Sequence, residues 1–371
     1  VAYGTAKKES LTGSVSVVDN KKIEKRITTS VTGALEGAAP GVQVNNTYGE
    51  PGKAPEIRIR GFGTFVSGAS SPLFVVDGVP FDGNMAELNS NDIESMSILK
   101  DAASAALYGN RAANGVVLIT TKSGRNADKP SITLQMNQGI YNRGIPEYER
   151  LDADPWMEMA WIAKKNSMMS NTGMSASEAA AYATSHLIGE SIGRNIYNAA
   201  DDKLFDSNGK LTATRLAGYD DLDWQDAIER NGHRQEYNLS AATSGQKYNV
   251  YSSVGYLNEK GYVKATGYER FSGRVNTTYT PNSWFKGGVN LNGSWTKRDY
   301  NNNASGNAYA NPFYIARYMA PVYPVYLHNA DGTYQLDAAG DKIYDTTSSY
   351  LSNRHIVYEM LFNKQESVRN V

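Results

Sequence analysis

From Glu236 to Lys297 the chain keeps a period of two through four successive segments, and no other feature constrains its fold as tightly. Tyr237, Leu239 and Ala241 alternate first. Tyr248, Val250, Ser252, Val254 and Tyr256 follow, then Phe271, Gly273, Val275, Thr277 and Tyr279, then Phe285, Gly287, Val289, Leu291, Gly293 and Trp295. Successive side chains of a strand point to opposite faces, so each set lines one face. The connections alternate in length: a tight turn at 243–246, a longer loop at 258–267, and a short turn at Pro281-Asn282-Ser283. The strands 270–280 and 284–297 are longer than the ~5–6 residues usual in a soluble sheet and match the ~9–11 that cross a bilayer at a tilt. The spacing predicts an antiparallel meander of long strands.

Two architectures read this way. In a membrane barrel, aromatic residues belong at strand ends, where Tyr256, Tyr268, Tyr279 and Trp284 fall. The 25 Tyr, 5 Trp and 34 Gly suit such a wall and its girdles, although soluble all-β and glycan-binding proteins share the bias. No stretch reaches the ~20 apolar residues of a spanning helix.

Charge and residue inventory exclude other classes. A formal net charge of -1 offers no field for nucleic acid. The absence of cysteine removes disulfides and thiolate chemistry. His186, His233, His328 and His355 make no ligand spacing, so neither a metal nor a cofactor is expected. The acidic groups Asp220, Asp221, Asp223 and Asp206, Asn208 do not reproduce a calcium loop. No catalytic constellation can be placed, and no enzyme activity is expected.

The chain divides near Lys129-Pro130. Before it, short mixed elements are punctuated by glycine: a strand at 14–19, a short helix at 30–36, strands at 41–45 and 56–60, and a hairpin at 72–80 turning at Asp77-Gly78. Asn91 and Asp92 are expected to cap a short helix through Met96, Asp101 to cap another over 102–107, and 116–121 to form a buried strand. After the division, Ile132, Leu134 and Met136 share a strand face. An insert at 141–235 is expected to carry helices at 154–165, with Pro155 at the first position, and at 175–187, where Ser175 and Glu178 have capping-box spacing.

The runs IRIRG at 57–61, SPLFVVDGVP at 71–80 and IESMSILKDAASAALYGNRAANGVVLITTKSG at 93–124 resemble the plug domain of SusC/RagA-like TonB-dependent outer membrane transporters. The opening AYGTAKKESLTGSVSVV at 2–18 resembles the segment that follows their energy-coupling box. The resemblance covers essentially the whole chain, more loosely after residue 124. It implies an α+β plug at 1–129 and, at 130–371, the N-terminal part of a transmembrane β-barrel in the bacterial outer membrane. A whole barrel of this kind has about 22 strands. Only about six of roughly ten residues each fit after the plug, and the coupling box itself is not in the sequence.

The same resemblance implies active import of an oligosaccharide or peptide, driven by the TonB energy-coupling protein and lidded by a SusD-like surface lipoprotein. A non-transporting receptor or adhesin on the same scaffold is the alternative. If the strand at 131–139 runs outward, 141–235, 258–267 and 298–354 are extracellular loops. Arg58 and Arg60, which share a face with Glu56, are candidates for breakable plug–barrel contacts, with Arg111 and Asn114. Tyr48, Phe62, Phe65 and Phe81 on plug loops, and Tyr300, Asn302, Tyr309 and Tyr314 in the last loop, are cargo candidates, because aromatic faces stack on sugar rings and amides bond hydroxyls.

Overall fold

The computed structural model describes residues 15–45, 50–61, 70–101, 106–125, 129–301, 311–346, 355–362 and 365–370. The first part is a mixed domain. Its five-stranded sheet has the order β1-β6-β7-β4-β5, with β1 Val15–Asp19, β4 Leu73–Val76, β5 Val79–Pro80, β6 Ile93–Leu99 and β7 Val116–Thr121. The helix α1 (Asn20–Glu24) is capped by Asp19, and the 3-10 turn Val31–Leu35 by Ser30. Val18, Ile23, Leu35, Ile93, Met96, Ile98 and Ile119 form the core between these elements and the sheet. A separate ribbon pairs β2 (Val42–Asn45) with β3 (Glu56–Ile59).

One local expectation fails here. Asn91 and Asp92 do not cap a helix through Met96. They close a single 3-10 turn, Ser90–Asp92, and β6 starts at Ile93. A register shift between Ile93 and Ser95 puts the buried side chains at Ile93, Met96 and Ile98, a spacing that imitates one helical turn. Strand pairing on both edges, with β1 and β7, decides the outcome. Asp101 pairs with Arg60 at 2.6 Å; residues 102–105 of the expected helix lie outside the described residues.

The second part is built on a six-stranded antiparallel meander in chain order: β8 Ser131–Tyr141, β9 Gly232–Ser244, β10 Tyr248–Lys260, β11 Gly267–Asn282, β12 Phe285–Tyr300 and β13 Gln365–Asn370. Its two faces are inverted relative to a soluble protein. Ile132, Leu134, Val254, Phe271, Val275, Val289 and Leu291 are exposed on the outer face. Arg234, Glu236, Asn238, Ser253, Arg270, Arg274 and Asn276 are buried on the inner one. In water an apolar face this continuous would forfeit ~1.5–3 kcal/mol for each large side chain left exposed. Against lipid it is the stable arrangement.

Two aromatic rows bound the apolar face. Tyr237, Tyr256, Phe271 and Trp295 stand side by side across β9 to β12, with ring centroids 4.6 Å apart for Tyr256 and Phe271 and 5.8 Å for Phe271 and Trp295. Tyr248 pairs with Tyr279 at the other end, near the exposed Trp284 and Phe285. From Phe271 to Tyr279 the strand covers about 26 Å at ~3.3 Å per residue. At the ~40° tilt of a barrel strand this is about 20 Å of depth, on the order of the apolar band of an outer-membrane wall. Tyr268 corrects the sequence reading, since it points inward and is buried. It sits one residue out of phase with Glu269 and Phe271, whose side chains take the outer face.

The two long connections fold together as a lobe. The first, 142–231, contributes α2 (Ala153–Thr172), α3 (Ala176–His186) and α4 (Trp224–Ile228); the second, 301–364, contributes α5 (Pro312–Tyr318) and α6 (Ile356–Phe362). Met157, Trp161, Ile196, Leu204 and Ile228 from one share a core with Ile315, Val322, Val325, Ile356 and Met360 from the other. The Trp224 indole donates to the Tyr323 carbonyl at 2.7 Å, and Asp221 accepts the Tyr326 N–H at 2.8 Å. The capping box at Ser175 and Glu178 forms as expected. Helix α2 starts earlier than expected, so Pro155 is its third residue, and it runs on to Gly173 at φ 73°.

Candidate functional site

The inner face of the long sheet is built around the mixed domain, and the seam between them is polar. Inward side chains on a strand recur every second residue, so β11 presents Tyr268, Arg270, Ser272, Arg274 and Asn276 in one row. Each of them bonds to the mixed domain. The Tyr268 hydroxyl donates to the Ala86 carbonyl at 2.8 Å. Arg270 donates to the carbonyls of Ala86 and Leu88, each at 2.7 Å. Ser272 accepts from Asn89 at 3.4 Å. Arg274 donates to Thr121 Oγ1 at 3.1 Å, and Asn276 to the same oxygen at 2.9 Å and to the Lys122 carbonyl at 2.7 Å.

Arg274 gathers three strand ends. Its guanidinium lies 3.4 Å from Asp77, which follows β4, and 3.8 Å from Asp92, which precedes β6. Its third partner, Thr121, ends β7. Asp77 holds this junction from a left-handed backbone (φ 48°), its carboxylate accepting the Thr121 N–H at 2.9 Å and hydroxyl at 2.6 Å. Asp92 also accepts from Tyr251 at 2.9 Å and Ser253 at 2.6 Å on β10. These buried charges are tolerable because each is paired and hydrogen-bonded.

The other strands repeat the pattern. On β9, Arg234 donates to the Thr28 carbonyl at 3.2 Å and to Thr29 at 3.1 Å, and pairs with Glu236 and Glu259. Glu236 accepts from Asn91 at 3.2 Å, and Asn238 from Asn89 at 2.8 Å. On β12, Arg298 pairs with Glu50 at 2.8 Å. Arg270, Arg274 and Arg298 stand on the sheet and meet carboxylates and carbonyls of the mixed domain, whereas Arg234 divides its guanidinium between carbonyl and hydroxyl groups of that domain and two carboxylates of the sheet. Gly124, at φ 73°, lets the chain pass so close to the sheet that a Cβ there would overlap the Val250 carbonyl.

A small mixed domain held by polar contacts inside a sheet with a lipid-type outer face has matching relatives. Residues 7–116 match the TonB-dependent Receptor Plug Domain family. TonB-dependent receptor P26 of Formosa agariphila is 32% identical over all of this chain and 32% of its own length. TonB-dependent receptor SusC of Bacteroides thetaiotaomicron is 29% identical over 74% of this chain and 24% of its own. The structure of the RagAB peptide importer in the open-open state superposes with a TM-score of 0.61 at 28% identity, over 80% of this chain and 32% of that one.

The chain belongs to the SusC/RagA-like TonB-dependent receptors. It carries the plug and part of the barrel wall of an outer membrane protein, and it spans about a third of the length of P26. The mixed domain is the plug, and the long sheet is wall.

Within this frame the residues singled out from sequence fall in several places. Arg58 pairs with Glu56 at 3.2 Å, Arg60 with Asp101, and Arg111 with Asp82, all inside the plug. Asn114 donates to the Ser71 carbonyl at 3.4 Å, also inside the plug. Phe81 packs, half-buried, against the plug core. Tyr300 ends β12, with the Arg298 guanidinium 4.6 Å from its ring centre. Tyr314 stacks on Tyr318 at 5.2 Å on the lobe surface. Tyr48, Phe62, Phe65, Asn302 and Tyr309 lie outside the described residues.

The acidic groups weighed for calcium are engaged in turns and caps: Asp206 accepts the N–H groups of Asn208 and Lys210, and Asp223 that of Gln225. What the sequence reading missed is the inward row of β11. The signal was present, because arginines at the unused phase of a long alternating strand belong to a lumen.

Proposed function

We propose that this chain is part of a TonB-dependent importer that carries an oligosaccharide or oligopeptide across the outer membrane, with a SusD-like surface lipoprotein as its lid. The polar character of the seam carries the reading. Once water enters, wall and plug groups exchange their hydrogen bonds for bonds to solvent at a net cost of ~0.5–1.5 kcal/mol for a neutral pair and ~1.5–3 kcal/mol where a charge takes part, so a plug held this way can be displaced stepwise and can re-seat. An apolar seam would expose its whole surface at once.

Counting strands outward from β8 makes the lobe and the loop 261–266 extracellular, where lid and cargo arrive. Phe81, Tyr300 and Tyr314 remain the described cargo candidates, and Arg58, Arg60, Arg111 and Asn114 are candidates for contacts with wall strands beyond the six seen here. The likeness to the RagAB peptide importer, at 28% identity, favours peptides, and the aromatic faces of Phe81, Tyr300 and Tyr314 leave oligosaccharides open.

The test is made on the full-length protein in its native outer membrane. Uptake of labelled oligosaccharides and peptides is followed with and without TonB, and the detergent-purified protein is analysed for associated proteins. Uptake that needs TonB, together with a stoichiometric lipoprotein, is expected. Cargo bound but never imported would overturn the reading in favour of a surface receptor.

A further inference from the structure

The lobe carries a groove of about 980 Å³ whose lining shares no residue with the seam. Tyr326, Tyr344, Tyr358 and Phe362 form one side of it, each in contact with the next, with ring centroids 5.0, 5.8 and 4.5 Å apart. The local sequence sets this row. Helix α6 turns Ile356, Val357 and Met360 into the lobe core, which leaves Tyr358 and Phe362, one turn apart, 40% and 62% exposed. Tyr326 and Tyr344 meet across a single β-bridge, and the Nδ1 of His355 accepts the Tyr358 N–H at 3.1 Å.

The row already carries a cation at one end. Lys342 places its ammonium 5.3 Å from the ring centre of Tyr326 and 3.5 Å from that of the neighbouring Tyr334. An aromatic face is the negative part of the ring's quadrupole and attracts a cation laid on it. Among the described residues, none lays a cation on Tyr358 or Phe362 at the other end. Charge favours the same kind of occupant. Among the described lining residues, Asp337, Asp341 and Glu359 stand against a single ammonium, that of Lys342, and His355, which accepts at Nδ1, is uncharged there. The Asp337 carboxylate is held in place by the N–H groups of Ala339 and Asp341, which its Oδ1 accepts at 2.8 and 2.9 Å.

We propose that this groove binds a basic side chain of an oligopeptide, its cation lying on the open faces of Tyr358 and Phe362 and pairing with Asp337 or Asp341. The inference rests on the importer reading, which brings cargo to the lobe, and narrows that cargo to peptides with arginine or lysine. Arginine suits the site best, because a planar guanidinium stacks on a ring and donates to a carboxylate at its edge at the same time. A neutral sugar would use the rings but gain nothing from the excess of negative charge.

The full-length protein is purified in detergent, and binding is read by fluorescence anisotropy of a rhodamine-labelled Gly-Ser-Gly-Arg-Gly-Ser peptide, beside the same peptide with citrulline in place of arginine. Citrulline keeps the shape and loses the charge. The arginine peptide is expected to bind about tenfold more tightly, an advantage of charge-assisted contacts that shrinks with added salt. Phe362→Ala and Asp341→Asn, both at exposed positions, should each weaken the arginine peptide roughly fivefold while the lobe keeps its resistance to protease. Equal binding of the two peptides, or an arginine peptide indifferent to both substitutions, overturns the proposal. So does cellohexaose binding that F362A abolishes while the arginine peptide stays unbound, since the rings would then be a sugar platform.

Binding is measured without TonB, so this proposal and the importer reading fail separately. An arginine peptide held in the groove of a protein that imports nothing would count against import alone. TonB-dependent uptake that F362A and D341N leave unchanged, with no preference for arginine in binding, would refute the groove and leave import standing.

Discussion

Arg274 of β11 and Asp92 at the head of β6 face each other inside the seam, guanidinium Nε 3.8 Å from carboxylate oxygen, with both side chains almost wholly removed from solvent. Asp77 lies on the other side of the same guanidinium at 3.4 Å. One wall cation thus faces two plug carboxylates that are separated in the chain by β5 and the 3-10 turn Met85–Glu87.

Arg274→Met is therefore expected to weaken plug seating by about 3–5 kcal/mol, the usual effect of leaving a buried charge without its partner. Limited proteolysis of the plug in the purified full-length protein reports it, as cleavage at lower denaturant. If R274M loses no more than Arg58→Met, whose guanidinium is partly solvated and paired within the plug, Arg274 is not the hub described here.

Two glycine substitutions separate backbone strain from close approach. Gly78 and Gly124 both have positive φ, 90° and 73°. Nothing lies within 4 Å of a Cβ built on Gly78, whereas one on Gly124 would overlap the Val250 carbonyl of the wall. Gly78→Ala should lose about 1–2 kcal/mol from its left-handed backbone alone. Gly124→Ala should lose more, and the excess should appear as faster exchange of plug amides near residue 124. Equal losses in the two variants would refute the close approach.

Leu291 pairs with Val275, midway between the two aromatic rows. A lysine there should destabilise the folded wall by ~2–4 kcal/mol, as a cation does near a bilayer midplane. The same substitution at Asn290, one residue before and on the lumen face, should cost much less. Reversible folding of the complete barrel into lipid vesicles measures both, and a smaller loss for L291K than for N290K would place the wrong face in the membrane.

The lobe should lose stability in mild acid through His355. Burial holds its imidazole below the ordinary value of 6.5. Its Nε2 faces the Val325 carbonyl at 2.7 Å, and its Nδ1 accepts the Tyr358 N–H at 3.1 Å, which requires a neutral ring. The unfolded chain binds the proton more readily than the folded one, so the contribution is full above about 6.5 and is lost as pH falls through the lower folded value. Asp221, raised by burial, has the opposite sign and acts nearer the carboxylate range. Amide exchange over 356–362 should speed up between neutral and mildly acid pH in the parent protein. It should do so less in His355→Asn, which can still cap the helix without titrating. Identical pH profiles would rule His355 out.

Much of the fold was legible because it depends on local rules. The alternation of β9 to β12 and the capping box at Ser175 survive intact, since strand faces and helix starts are set by residues close in sequence. The seam was legible only in part. Arg58 and Arg60 were singled out because they share a strand face, yet the wall partners that the structure provides, Arg270 and Arg274, occupy the complementary phase of a strand whose apolar phase had drawn attention.

By itself, then, the sequence determined a long meander with one apolar face, a glycine-punctuated mixed domain before it, and, through its resemblance to a known family, the relation between the two. Period, turn chemistry and capping act over a few residues and can be read along the chain. Tertiary structure alone decided that 93–99 is a strand, that Tyr268 turns inward, that two insertions separated by four strands share a single core, and that Arg274 collects Asp77, Asp92 and Thr121. Each of these depends on groups far apart in sequence, and the energy of bringing them together is set by burial and pairing that no local pattern records.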